Sequence, residues 1–339
     1  MIIDRLRKYA VQKIVSVLFA LTRPISYHKT SLILSCMLLK LCQLLFRQVQ
    51  HFFRGMVFRP TERILDDVQS ARFEKLKMEI DTFGVSIVSN YFSDDRFAEL
   101  VSDFDAVLAP CPPRPFRGGG TVRTTTVYED DPDSSARHLY NALARDPVLL
   151  SLVEHIHRRK ISTLPRISLQ ELVMAADKPN IPEPNAVLHS DRHYHHAKAF
   201  FYLNDLNGSS GAYLYAKGSN KIGNIWRLIH EVDIDVRESL AVWRRRLGLI
   251  PGHLSITGIE QIRPSLLRHL QHPIQSMDGD RNSFVFSDNI GFHARGNMVA
   301  GTIRRQVHIH FTYIEVSIFG ELIRRTVLAL KPALRRVVI

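Results

Sequence analysis

Polar side chains recur at Lys40, Gln43, Arg47, Gln50 and Arg54, in steps of three and four, and leucine and phenylalanine fill many of the positions between them. That spacing draws a polar stripe down one face of a helix and leaves the opposite face apolar. Residues 62–80 repeat the helical spacing, and residues 84–90 (GVSIVSN) alternate as a half-buried strand does. Ser93, followed by Asp94, Asp95 and Arg96, reads as an N-cap with a helix running to about residue 108. Residues 109–120 are rich in proline and glycine and read as a loop. A helix over 136–157 comes next. Short apolar runs then mark strands at 168–174, 186–189, 198–203, 212–216, 283–286 and 305–313. Between the last two pairs, about residues 221–279, lies a helical insertion that contains Trp226 and Trp243. No internal repeat is visible.

Several short strands separated by turn signals predict an α+β fold with a mainly β core. The expected architecture is a double-stranded β-helix (jelly roll) flanked by helices. Three segments are expected: a basic, apolar helical segment at 1–59, a jelly-roll domain at 60–318 and a basic tail at 319–339.

Charge sharpens that division. Residues 1–59 carry ten Lys/Arg against Asp4 alone, and residues 319–339 carry five against Glu321. The net charge of +12 therefore sits at the two ends, and the middle is close to neutral. The apolar run at 14–22 mimics a secretory signal, but it lacks a small-residue cleavage site and runs into Arg23-Pro24. The run at 31–46 falls short of the ~18 residues of a spanning helix, and Lys40 interrupts it. A basic stripe with an apolar face suits an anionic membrane surface, or else docks on the body of the protein. Nucleic acid is not expected, because the basic residues alternate with aliphatics rather than base-stacking aromatics. Three cysteines, with no C-x-x-C spacing, point to a reducing, cytoplasmic setting with the chain peripheral at the membrane.

The candidate chemistry begins in LHSDRHYHHAKAFFYLND. His189 and Asp191 are two residues apart, so on an extended chain both side chains point the same way. A third ligand from another strand would complete a two-histidine, one-carboxylate facial triad, which leaves open positions on iron(II). His293, in a polar turn after the strand at 283–286, supplies that ligand. Arg304 shares a strand face with Gln306, His308 and His310, whereas Arg305 shares the apolar face with Val307 and Ile309. A guanidinium at 304 can hold a carboxylate bidentately.

These residues together resemble the phytanoyl-CoA dioxygenase family of Fe(II)/2-oxoglutarate-dependent oxygenases. The resemblance is carried by His189–Asp191, by KAFFYLND from Lys198, and by Lys217-Gly-Ser-Asn220, where the family usually has histidine at the last position. His293 and the arginine eleven residues later complete it. It covers about residues 60–318. It implies His189, Asp191 and His293 as iron ligands and Arg304 as the grip on the far carboxylate of 2-oxoglutarate. It also implies Phe200 beside that co-substrate, with Lys198 or Tyr202 as a hydrogen-bond donor, and O2 as the second co-substrate. His193, His195 and His308 are candidates for contact with substrate. Retention of Asp191 implies hydroxylation rather than halogenation. The expected activity is hydroxylation of an unactivated C–H bond in an organic, lipid-linked or amphipathic small molecule. The alternatives are a cupin-like metal enzyme without 2-oxoglutarate and a non-catalytic membrane-surface protein.

Overall fold

The computed structural model describes residues 58, 61, 63–116, 119–161, 163–175, 187–191, 195–221, 260–261 and 272–311. The segment 1–59 apart from Phe58, the tail 319–339, most of the insertion expected at 221–279, and His193 lie outside the described residues. All the described residues belong to one compact unit, Arg54–His230 with Ser255–Tyr313.

The N-terminal part is helix, strand, helix. Helix α1 spans Asp67–Phe83, and Asp66 and Gln69 close a reciprocal capping box at its start. It ends at Gly84, which adopts φ +80°. Glycine is needed there twice over, because an added Cβ would also lie 2.5 Å from Tyr215 Oη. Strand β1 (Val85–Val88) leads to α2 (Asp94–Leu108), capped by Ser93 as expected. The helix expected over 136–157 is two helices, α3 (Ser134–Ala144) and α4 (Pro147–His157). Pro147 bars the helical conformation at Asp146 and opens α4, while the Asp146 carboxylate accepts from Leu149 N at 2.7 Å.

The remaining strands are β2 (Arg114–Phe116), β3 (Gly120–Val127), β4 (Arg166–Met174), β5 (His189–Ser190), β6 (Ala197–Tyr202), β7 (Tyr213–Ala216), β8 (Glu260–Gln261), β9 (Ile274–Met277), β10 (Phe284–Asp288), β11 (His293–Arg295) and β12 (Ile303–His310). They form a seven-stranded sheet, β1-β10-β6-β12-β4-β3-β2, and a five-stranded sheet, β8-β5-β11-β7-β9. Every pairing between strands is antiparallel. The fold class is the expected jelly-roll type of β core.

Strand β6 shows why its sequence is so apolar. Ala199 and Phe201 point toward the helices and join the large core with Leu100, Phe104 and Leu139. Phe200 and Tyr202 point the other way, into a second core with Tyr213 and Tyr215. A strand buried on both faces has no polar alternation to keep. Strand β12 lies beside it in register, Val307 opposite Phe201 and His308 opposite Phe200. Its Val307 and Ile309 enter the helix-side core.

Four expectations need correction. The loop expected at 109–120 contains β2, a short strand whose central Pro115 cannot donate to a ladder and so suits a sheet edge. Strand β3 was not expected at all. Its GTVRTTTV is threonine-rich and largely half-buried, so it lacks the strong alternation of a core strand. Strand β9 lies inside the span expected to be a helical insertion, and it pairs with β7. His293 opens β11 rather than sitting in a turn.

Candidate functional site

His189 on β5 and His293 on β11 are direct cross-strand partners. Their ring centroids lie 4.6 Å apart, and both residues are buried. Each ring uses Nδ1 on a backbone carbonyl two residues earlier, His189 on Val187 at 2.7 Å and His293 on Gly291 at 3.0 Å. In the neutral ring, Nδ1 donating leaves the Nε2 lone pair free, which is the form a metal requires. Burial, and then the neighbouring His293, lowers the His189 pKa to about 4.

Asp191 follows β5 and completes the group. Its Oδ1 is 3.7 Å from His189 Nε2, and its Oδ2 is 3.4 Å from His293 Nε2. Burial alone would raise this carboxyl, but the neighbouring Lys198 ammonium holds it well below the usual carboxylate range. Lys198 Nζ donates directly to Oδ2. Among the described residues, His189, Asp191 and His293 are the one group of three whose ligand atoms, all within 4.8 Å of one another, could hold a metal ion. Two neutral imidazole nitrogens and one carboxylate fit divalent iron and leave coordination positions open.

These ligands edge a cavity of about 260 Å³. The small sheet contributes the two histidines, and the large sheet contributes Lys198 and Phe200 from β6 and Arg304, Gln306 and His308 from β12. Arg304 is 5% exposed and faces this cavity. Arg305 faces the helices instead, where it contacts Asp105 and lies 5.1 Å above the Phe104 ring. The side of β12 assigned to each arginine from the alternation is therefore the side it occupies.

Phe200 lines the cavity and stacks on His308 at 4.4 Å with ring planes 22° apart. Burial, and then His310, pushes the His308 pKa well below the usual value. Its Nε2 and the Gln306 Oε1 are buried, and neither has a hydrogen-bond partner in the structure. Buried polar atoms normally find partners, so the β12 face offers both to a ligand.

Two expected site residues do not lead to the cavity. Tyr202 is fully buried, donates to Met277 O and accepts from Tyr213 N, both at 3.2 Å. Its hydroxyl ties β6 to the small sheet and does not line the cavity. His195 points to Asp288, with Nδ1 2.5 Å from Oδ2, and also does not line it.

Other lining residues carried no motif. Tyr213 belongs to β7, and Gln170 pairs in register with Gln306. Arg295 lies 4.9 Å above the Phe116 ring at the cavity wall. Asn289 lies behind the lining and touches two of the three ligands, 3.0 Å from Asp191 Oδ2 and 3.2 Å from His293 Nε2. Its signal was present in the Asp288-Asn289 pair at the end of an apolar strand. Gly291, in the turn that feeds β11, admits the Tyr215 hydroxyl, which donates to Asp288 O at 2.7 Å. A Cβ there would lie 1.9 Å from Tyr215 Oη.

No family model matches the chain, and no curated protein matches it. Among solved structures it is similar to the epimerase SnoN, in complex with Fe3+, alpha ketoglutarate and nogalamycin RO. That match has 15% identity over 71% of this chain and 83% of that one, at a TM-score of 0.46. It is similar to AviO1 from Streptomyces viridochromogenes Tue57 at 13% identity, over 76% of this chain and 99% of that one, with a TM-score of 0.44. A Pseudomonas putida prolyl-4-hydroxylase matches at 10% identity, over 71% and 99%, with a TM-score of 0.42.

Proposed function

We propose that the protein is an iron(II)- and 2-oxoglutarate-dependent oxygenase that hydroxylates an unactivated C–H bond of an organic substrate. One observation carries this reading: His189, Asp191 and His293 converge at the edge of the same cavity that Arg304 lines. The sequence resemblance to the phytanoyl-CoA dioxygenase family, carried by the same residues, agrees with it.

His189 Nε2, His293 Nε2 and the Asp191 carboxylate would hold the iron. When bound, iron(II) supplies the O2 chemistry in which 2-oxoglutarate becomes succinate and CO2 and the substrate gains a hydroxyl. Arg304 holds the distal carboxylate of 2-oxoglutarate, where a planar guanidinium makes two parallel hydrogen bonds. Lys198 brings a second positive charge to the site, and Phe200 and Leu172 give the co-substrate an apolar wall. Gln306 and His308 offer hydrogen bonds beside it. His193 and His195 remain proposed only as groups of the surrounding loop.

The basic, apolar segments 1–59 and 319–339 support a lipid-linked or amphipathic substrate met at an anionic membrane surface. Among the described residues no helix is long and apolar enough to cross a membrane.

The test is anaerobic. Iron(II) plus 2-oxoglutarate gives a visible charge-transfer band with the wild-type protein. His189→Ala and Asp191→Ala lose it. Variants that keep an unchanged band overturn the assignment of the ligands.

A further inference from the structure

Asn289 is 0% exposed and sits in the turn between β10 and β11. Its backbone N donates to His196 O at 2.7 Å, which pins the turn to the segment before β6. Four polar contacts surround its amide. Ser287 Oγ and Tyr213 Oη approach Oδ1 at 2.6 and 3.0 Å. Nδ2 faces Asp191 Oδ2 at 3.0 Å and His293 Nε2 at 3.2 Å.

Those contacts allow one orientation of the amide. An ionised carboxylate only accepts hydrogen bonds, so Asp191 Oδ2 needs a donor facing it, and in the neutral His293 ring with Nδ1 on Gly291 O the Nε2 needs one too. The NH2 group must therefore face the ligands, and the carbonyl oxygen must accept from the two hydroxyls. A flipped amide would set oxygen against carboxylate and leave two hydroxyls to share NH2 protons.

We propose that Asn289 is a positioning residue that fixes how Asp191 meets the metal, its amide holding Oδ2 so that Oδ1 faces the ion. Resting on the metal centre proposed above, this role is shared with the Lys198 ammonium, which donates to the same Oδ2. Carboxylate ligation through one oxygen preserves the open positions that a bound co-substrate needs. Ser287 and Tyr213 act one step further out, by orienting the amide.

The experiment uses Co(II), a visible stand-in for iron(II), titrated into the full chain. Asn289→Ala should weaken Co(II) binding by about 10–100-fold and change the visible Co(II) absorption bands. Ser287→Ala should weaken it less and shift the bands in the same direction. It removes one small hydroxyl, so it carries the test if Asn289→Ala does not fold. The thermal midpoint of each metal-free variant is measured alongside. Folded variants with wild-type Co(II) affinity and wild-type bands overturn the role of Asn289. A wild-type protein that binds Co(II) but whose bands ignore added 2-oxoglutarate removes the oxygenase reading and leaves Asn289 in place. A wild-type protein that binds no Co(II) overturns both.

Discussion

His189 and His293 sit directly opposite each other on β5 and β11, each with Nδ1 against a backbone carbonyl two residues earlier. The pairing converts two distant sequence positions into neighbouring donors through strand register. Losing either ring should therefore remove the metal without removing the fold. In wild type, a divalent ion at a hundred times its dissociation constant should stabilise the protein by about 2.7 kcal/mol. His293→Ala should show no such shift in thermal midpoint on adding Co(II).

Arg304 is buried on a strand flanked on both sides, and its side chain lines the cavity. Arg304→Ala should cost about 2–5 kcal/mol of 2-oxoglutarate binding, roughly 30-fold or more. Arg304→Lys should recover part of it, because an ammonium keeps the charge but loses the bidentate geometry. Titration of 2-oxoglutarate into the anaerobic iron(II) protein measures both.

His157 gives a pH dependence away from the metal ligands. Burial, and then the neighbouring His196, lowers its pKa to about 3, and its Nε2 accepts from Ala197 N at 2.9 Å. The folded value lies below the unfolded one, so the folded state prefers the neutral ring. Its contribution is complete above pH 6.5 and is lost as pH falls toward 3. Each pH unit in that window should remove about 1.4 kcal/mol. Denaturant titrations of wild type and His157→Gln should diverge in slope below pH 6.5 and run parallel above it.

Gly291→Ala tests the turn that delivers His293. The new methyl would collide with the buried Tyr215 ring and hydroxyl. Overpacking of this kind should destabilise the protein by about 3 kcal/mol or more, read as a lowered denaturation midpoint.

The cationic ends make a separable prediction. A chain lacking residues 1–59 should float less with vesicles rich in anionic lipid than the full chain does, and high salt should weaken flotation of the full chain. Equal flotation of both chains would remove the membrane proposal.

Much of the site could be read from alternation alone. His189 and Asp191 project together because they are two apart near a strand end, and the opposite destinations of Arg304 and Arg305 follow from the period of a strand. The jelly-roll class came from the number and brevity of apolar runs. What escaped had other causes. Strand β3 is held largely by its ladder to β4, which leaves little trace in a run of threonines. The break between α3 and α4 turns on a single proline whose flanks are both helical. The contacts of Asn289 and Tyr213 with the ligands became legible only once the two sheets faced each other, with β10 in one and β7 and β11 in the other. Tyr202 was on the predicted face, but its hydroxyl is taken up by Met277 and Tyr213.

The division of the cavity between the two sheets has a corollary. Ion capture depends on two very short strands at one edge, whereas the polar strip along β12 and β4 decides what else fits. Substitutions along that strip would change what the cavity accepts while leaving the register that joins His189 to His293 untouched.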